Sequence, residues 1–292
     1  LIKTSYQLAA IHPVITGVLM GVFPNSYSSA AFVIAGSVIN GFISGIFMLG
    51  FLPILEDRMN TPTCFRLMEL SDLNSPTMKN MLLSASGTYN HTMMVAMLSE
   101  AACREIGANA LLARVGAYYH DIGKMKNPLY FTENQKTSVN PHDELTAVES
   151  AKIIKSHVID GIEMARANNI PDHIIDFIRT HHGNSLIYYF YKKQLDSGEP
   201  FNEDDFRYSG PIPFSKETAI LMMSDSVEAA SKSLVNPTTE AIDALVEAII
   251  KKQIEEKQYL NADITFKDIE KIKKVLKEKL FNIYHLRNAY PK

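Results

Sequence analysis

The chain has 292 residues, 46% of them hydrophobic and 21% charged, with a formal net charge of −3. That balance excludes a general nucleic-acid coat, which needs a strong basic excess, and intrinsic disorder, which needs a far less apolar chain. Its two cysteines, Cys64 and Cys103, exclude a disulfide scaffold and cannot alone make a thiolate zinc site.

The averages conceal a division. Residues 4–55 contain no Asp, Glu, Lys or Arg, a stretch of 52 uncharged positions. Within it, 31–55 is an apolar run of 25 residues, long enough to cross a bilayer core as a helix with some tilt. The shorter run 7–23, which contains His12 and Pro13, predicts a second, weaker span, and the PNSYSS turn joins the two into a transmembrane hairpin. The alternative is a buried hairpin of a soluble protein, although buried helices of soluble proteins usually show one charged edge. A signal peptide does not fit, because the second run is too long and lacks a cleavage pattern. A start at Leu1 rather than Met is expected of part of a longer protein.

After Glu56 the charge density becomes that of a soluble domain, about a quarter of residues. The segment 61–76 carries Pro62, Asn74 and Pro76 and reads as a connector. Helical periodicity follows over 88–106, stopped by Gly107, and over 109–122, ended by Gly123. A long amphipathic helix is predicted at 144–168, another at 172–182 up to Gly183, and a tyrosine-rich segment at 184–195. A polar loop occupies 196–213. The next helix, 215–234, has Ser215 as its cap, and charged amphipathic helices cover 238–257 and 266–286. No alternating pattern exceeds four residues, so the soluble part is all-α.

The chemistry lies in histidines and aspartates on the apolar faces of these helices. His91 shares a stripe with Val95, Leu98, Ala102 and Ile106, and His120 follows Leu112 and Gly116 with Asp121 beside it. His157 runs along the stripe of Ala147, Ala151 and Ile154. His181 and His182 flank Ile174, Ile175 and Ile178, and Asp225 lies four residues after Leu221. Any one such histidine is ordinarily a satisfied core residue, and a buried Asp is ordinarily a cap or an ion-pair partner. Seven together from five helices are better explained by a shared metal centre. Nitrogen and oxygen donors without sulfur suit Fe, Mn or Zn, and seven ligands exceed one shell, so two ions fit better than one, with a carboxylate such as Asp121 able to bridge.

The order His91, His120-Asp121 within YHDIGK, His157, His181-His182, Asp225 resembles the HD-domain metal phosphohydrolases. More narrowly, GTYNHTMMVA, NPHDELT, SHVIDGIEMA, HHGNSL, DFRYSGP, SDSVEAA and NIYHLR resemble the PgpH-type membrane HD phosphodiesterases, and GFLPILE resembles the last span of those seven-span proteins. The likeness runs over nearly the whole chain. It departs at Asn90, where relatives are expected to carry a second histidine. Gly183-Asn184-Ser185-Leu186 replaces the Gly-Tyr-Pro signature of the HD-GYP enzymes that cut cyclic di-GMP, which disfavours that branch.

The resemblance implies an all-α HD-domain bundle over 76–292, two C-terminal membrane spans over 1–55 and a connector over 56–75. It implies a second-messenger hydrolase that opens cyclic di-AMP to linear pApA with two divalent ions, Fe or Mn before Zn. By similarity, His91, His120, Asp121 and Asp225 hold one ion, and Asp121 bridges to a second held by His157, His181 and His182. Lys124 is placed to contact a phosphate, with Arg179 a weaker candidate. Tyr188, Tyr189 and Tyr191 could stack adenine, though core packing explains them as well. His142 could line the pocket or serve a loop hydrogen bond; His12, His173 and His285 read as structural or exposed. Glu100, Asp143, Glu149 and Asp160 are available to support the ligating histidines. The implied partners are cyclic di-AMP and the lipid bilayer but no DNA or RNA polymer, with homo-oligomer formation left open and the HD domain on the cytoplasmic side of a multi-pass membrane protein. The competing functions are a deoxynucleotide or cyclic di-GMP phosphohydrolase, and a non-catalytic nucleotide sensor, which would carry a broken ligand set.

Overall fold

The computed structural model describes residues 11, 14, 15, 18, 27–59, 62–135, 139–235 and 237–285. The chain forms two compact units that divide between Thr61 and Pro62. In the first, helix α1 spans Tyr27–Met59, and its portion Ile34–Leu52 is long and apolar enough to cross a membrane, by length and composition. At 1.5 Å per residue its 19 residues extend about 28 Å, close to the roughly 30 Å of a bilayer's hydrocarbon. Phe42, Ile46 and Phe47 on this helix are exposed. The expected first span, 7–23, lies almost wholly outside the described residues, as does His12.

The second unit is built from helices and turns, with no strand among the described residues. An isolated antiparallel bridge joins Leu186 and Arg207. Its helices are α2 Cys64–Leu70, α3 Pro76–Ser84, α4 Ser86–Ile106, α5 Ala110–Tyr119, α6 Ala147–Ala167, α7 Asp172–Thr180, α8 Tyr188–Ser197, α9 Lys216–Ser231, α10 Thr239–Glu255 and α11 Phe266–His285. Their ends follow from side chains legible in the sequence. Asn109 caps α5 by accepting from the Leu112 amide at 3.0 Å, Thr146 and Glu149 form a capping box on α6, and Ser215 and Thr218 form one on α9. Gly107 ends α4 in the left-handed region at φ 73°, where a side chain would be strained.

Two apolar clusters hold the unit together. Leu98, Ala113, Met222, Ile250 and Leu276 join α4, α5, α9, α10 and α11. Leu67, Met78, Tyr119, Ala165 and Ile174 join α2, α3, α5, α6 and α7. Full burial of a side chain such as Leu98 or Ile174 stabilises by roughly 1.5–3 kcal/mol. Between the two, Val95, Ala117, Phe177 and Leu221 form a small cluster that belongs to α4, α5, α7 and α9. The approach of α5 to α7 depends on Gly116, where an added Cβ would sit 2.4 Å from the Phe177 ring.

The structure departs from the sequence reading in two places. The segment read as a connector contains α2, whose Leu67 and Leu70 are buried. Pro62 and Pro76 lie outside this helix, and Pro76 occupies the first turn of α3 behind its Ser75 cap, a position where proline is favoured. The Tyr119 hydroxyl donates to the Leu70 carbonyl at 3.1 Å, tying α2 to α5. Second, the helix expected over 109–122 stops at Tyr119, and the chain tightens into a 3-10 turn over Ile122–Lys126. The reason is Gly123, where a Cβ would fall 1.9 Å from the His157 carbonyl oxygen and 2.5 Å from the Gly161 amide. The turn is pressed flush against α6.

Candidate metal centre

Five elements deliver the seven expected residues to one place. His91 comes from the buried face of α4, and His120 and Asp121 come from the break between α5 and the 3-10 turn. His157 comes from α6, His181 and His182 from the end of α7, and Asp225 from α9. Six of the seven are buried and His182 is partly buried.

The donor atoms fall into two groups. His91, His120 and Asp225 each offer an atom within 4.8 Å of the others, and so do His157, His181 and His182. Asp121 stands between them with one oxygen on each side. Its Oδ2 is 3.3 Å from His120 Nε2 and 3.6 Å from His91 Nε2, while its Oδ1 is 3.4 Å from His157 Nε2 and 3.5 Å from His181 Nε2.

Hydrogen bonding fixes which ring nitrogens face inward. His120, His157 and His181 each place Nδ1 at 2.5–2.7 Å from the carbonyl three residues earlier, those of Ala117, Ile154 and Ile178. A carbonyl only accepts, so Nδ1 carries the proton and Nε2 presents a lone pair. His157 Nε2 and His181 Nε2 then meet at 3.2 Å as two acceptors. The buried His120 Nε2 and Asp121 Oδ1 have no hydrogen-bond partner at all. Acceptors converging on each other without a donor are costly in a dry interior, and a cation removes the conflict. The residues therefore fit a metal centre made of nitrogen and oxygen donors.

The electrostatics agree. Burial pushes the His157 imidazole down to about 4 and that of His182 well below its usual value, so this pair is neutral at physiological pH. Burial opposes charge on His91 and His120 too, yet Asp225 and Glu228 beside His91, and Asp121 and Asp225 beside His120, outweigh it and raise both. The field that retains a proton there favours a cation equally. Burial works against ionising Asp121 and Asp225, but neighbouring positive groups hold both carboxyls well below the usual range.

Supporting residues differ from those the sequence offered. Glu228 accepts from His91 Nδ1 at 2.5 Å and pairs with Lys232 at 2.9 Å; its signal was its place three residues after Asp225, on the same face of α9. Glu100 instead pairs with Arg104 and Arg114, Glu149 belongs to a helix cap, and Asp160 holds Lys126 at 2.6 Å. Tyr208 also escaped the residue-level reading, although its DFRYSGP segment carried part of the resemblance. Its ring stacks on His182 with centroids 4.1 Å apart. Lys124 lies 2.7 Å from Asp121 Oδ2 and 2.9 Å from Glu133 Oε1. Arg179 is engaged with Asp176 at 2.6 Å and over the Phe214 ring. Tyr188 is exposed beneath Lys252, Tyr189 is exposed, and Tyr191 packs on Phe201 and Phe206. His142 is buried between Tyr130 and Phe190, with Nε2 2.9 Å from the Tyr130 carbonyl.

A bundle of helices that gathers His, His-Asp, His, His-His and Asp around one buried point defines a class, and residues 88–230 match the HD domain family. The chain is 46% identical over 254 residues to the cyclic-di-AMP phosphodiesterase PgpH of Bacillus subtilis, an alignment covering 87% of this chain and 36% of that protein. It matches the crystal structure of the Listeria monocytogenes PgpH HD domain with a TM-score of 0.70 and 48% identity, covering 73% of this chain and all of that one. The crystal structure of that domain in complex with cyclic-di-AMP matches with a TM-score of 0.71 and 47% identity, at the same coverage. The chain belongs to the PgpH family of HD-domain proteins. It spans about a third of the length of the curated relatives it matches.

Proposed function

We propose that this chain hydrolyses a 3′,5′-phosphodiester bond of cyclic di-AMP to give linear pApA, using two divalent ions, Fe or Mn before Zn. The observation that carries the reading is Asp121, one carboxylate whose two oxygens face two separate groups of donors. His91, His120, Asp225 and Asp121 would hold one ion, and His157, His181, His182 and Asp121 the other. When bound, such ions lower the pKa of water and neutralise charge on the phosphoryl group. The protein's own groups supply the rest. The carbonyl-tethered histidines keep their lone pairs aimed inward, burial excludes bulk water and strengthens every charge interaction there, and Lys124 has one N–H beyond its two carboxylate contacts to offer a phosphoryl oxygen. Arg179 and Tyr188 are proposed as outer contacts for phosphate and base, whose loss raises KM rather than lowering kcat.

The relatives named as cyclic-di-AMP phosphodiesterases and the domain crystallised with that nucleotide support adenine over guanine. In the same reading, 1–55 is a membrane segment, the few residues after it lead into a catalytic domain that includes α2, and that domain faces the cytoplasm, where the messenger is found. The test is direct. The full chain in detergent, loaded with Mn2+, is incubated with cyclic di-AMP and with cyclic di-GMP, and the products are chromatographed. Conversion of cyclic di-AMP to pApA with little action on cyclic di-GMP is expected; an intact cyclic di-AMP peak, or preference for the guanine ring, would overturn the reading.

A further inference from the structure

Lys124 is an ammonium buried against the bridging carboxylate. It reaches Asp121 Oδ2 at 2.7 Å and Glu133 Oε1 at 2.9 Å, with the Phe131 ring 5.1 Å away. Glu133 is not a free surface acid. It sits in the short turn Thr132–Asn134, which is clamped to the first turn of α4. Thr88 donates its hydroxyl to Glu133 at 3.2 Å and its amide to Asn134 Oδ1 at 3.0 Å, and Asn134 Nδ2 donates back to the Thr88 hydroxyl at 2.9 Å. Gly87 permits the contact, since a Cβ there would fall 1.8 Å from the Glu133 carbonyl oxygen.

This bracket meets an electrostatic problem that the metal centre creates. Asp121 Oδ2 cannot serve as a ligand to a cation and as the sole counter-ion of an ammonium. Cations at the two donor groups would also repel Lys124. Only a second carboxylate, held from an element outside the donor set, keeps the lysine in place once Asp121 is committed elsewhere. We propose that Glu133 is a positioning residue that takes up the Lys124 ammonium, so that Asp121 is released to bind metal and Lys124 stays at the site. The inference rests on the metal-dependent reading above and deepens it. Without the Glu133 charge, Lys124 falls back on Asp121 and competes with the metal for the same oxygen.

The test reads metal binding rather than turnover. The full chain in detergent is stripped of metal and titrated with Mn2+, free Mn2+ being followed by electron paramagnetic resonance. Wild type is compared with Glu133→Gln, Lys124→Met and the combination of both, with thermal melting as the check on folding. Glu133→Gln should weaken Mn2+ binding by about 10–100-fold, the usual cost of losing an outer partner of a ligand. Lys124→Met should not weaken it. The combined variant should return to the Lys124→Met affinity, because the competitor is gone, while remaining poor in turnover. Should Glu133→Gln fail to fold, Glu133→Ala, which removes the charge along with the side chain, is put through the same comparison. Unchanged Mn2+ affinity in the folded Glu133 variant, or a combined variant as weak as that variant alone, overturns the proposal. A wild-type chain that binds no Mn2+ overturns the metal-dependent reading itself, which separates the two failures.

Discussion

Replacing Gly123 with alanine adds one methyl group where the 3-10 turn meets the backbone of α6. The new Cβ would lie 1.9 Å from the His157 carbonyl oxygen, 2.5 Å from the Gly161 amide nitrogen and 2.8 Å from the His157 carbonyl carbon. These atoms are backbone, so no rotamer change relieves the clash, and the 3-10 turn and α6 must separate by about 1 Å or more to restore ordinary contact. Overpacking of this kind costs about 1–3 kcal/mol. For a unit of this size, 1 kcal/mol lowers Tm by about 2–4 °C, so Gly123→Ala should melt roughly 2–12 °C below wild type. The same displacement carries His157 away from Asp121, two elements that now meet at 3.4 Å, so metal content should fall with stability. Differential scanning calorimetry and metal analysis of the purified variant measure both. A variant that melts with wild type and retains its full metal content would refute the argument that this glycine sets the spacing of the donors.

Other outcomes follow from the same geometry. His120→Ala and Asp121→Ala should each abolish cyclic di-AMP hydrolysis; normal turnover by either variant, prepared free of wild-type protein, would remove these residues from the site. Glu228→Gln leaves His91 Nδ1 without its carboxylate and should weaken metal binding about 10–100-fold while changing Tm little, as isothermal titration with Mn2+ would record. Of the two thiols, Cys64 is exposed and Cys103 is buried, where burial and the nearby Glu217 and Glu100 push its thiol up. A thiol-reactive chromophore should therefore label Cys64 in the native protein and reach Cys103 only after denaturation; rapid labelling of both in the native state would contradict the packing around α4.

The convergence of the candidate metal-centre residues was legible because their chemistry was out of place: histidines and aspartates on stripes that otherwise carry Val, Leu and Ile. Helix ends with a side-chain cap or a glycine stop, at Gly107, Asn109 and Ser215, were legible for the same local reason. What escaped was set by distant packing. The end of α5 at Tyr119 depends on α6, since the short approach at Gly123 involves residues more than thirty positions away. Helix α2 has too few residues to show a clear period, and its identity rests on burial of Leu67 and Leu70. Glu228 and Glu133 were not singled out in the sequence, and only three-dimensional contact gives them partners.

The tether of His120, His157 and His181 to carbonyls of their own helices has a practical consequence. His157 acquires its aim as the middle of α6 forms, and His120 and His181 as their helix ends form, with no help from an ion. The empty protein should therefore be a folded receptor rather than a chain waiting to be organised. Such a receptor would exchange one divalent ion for another by simple mass action, so the cation bound in a given cell would reflect supply as much as architecture.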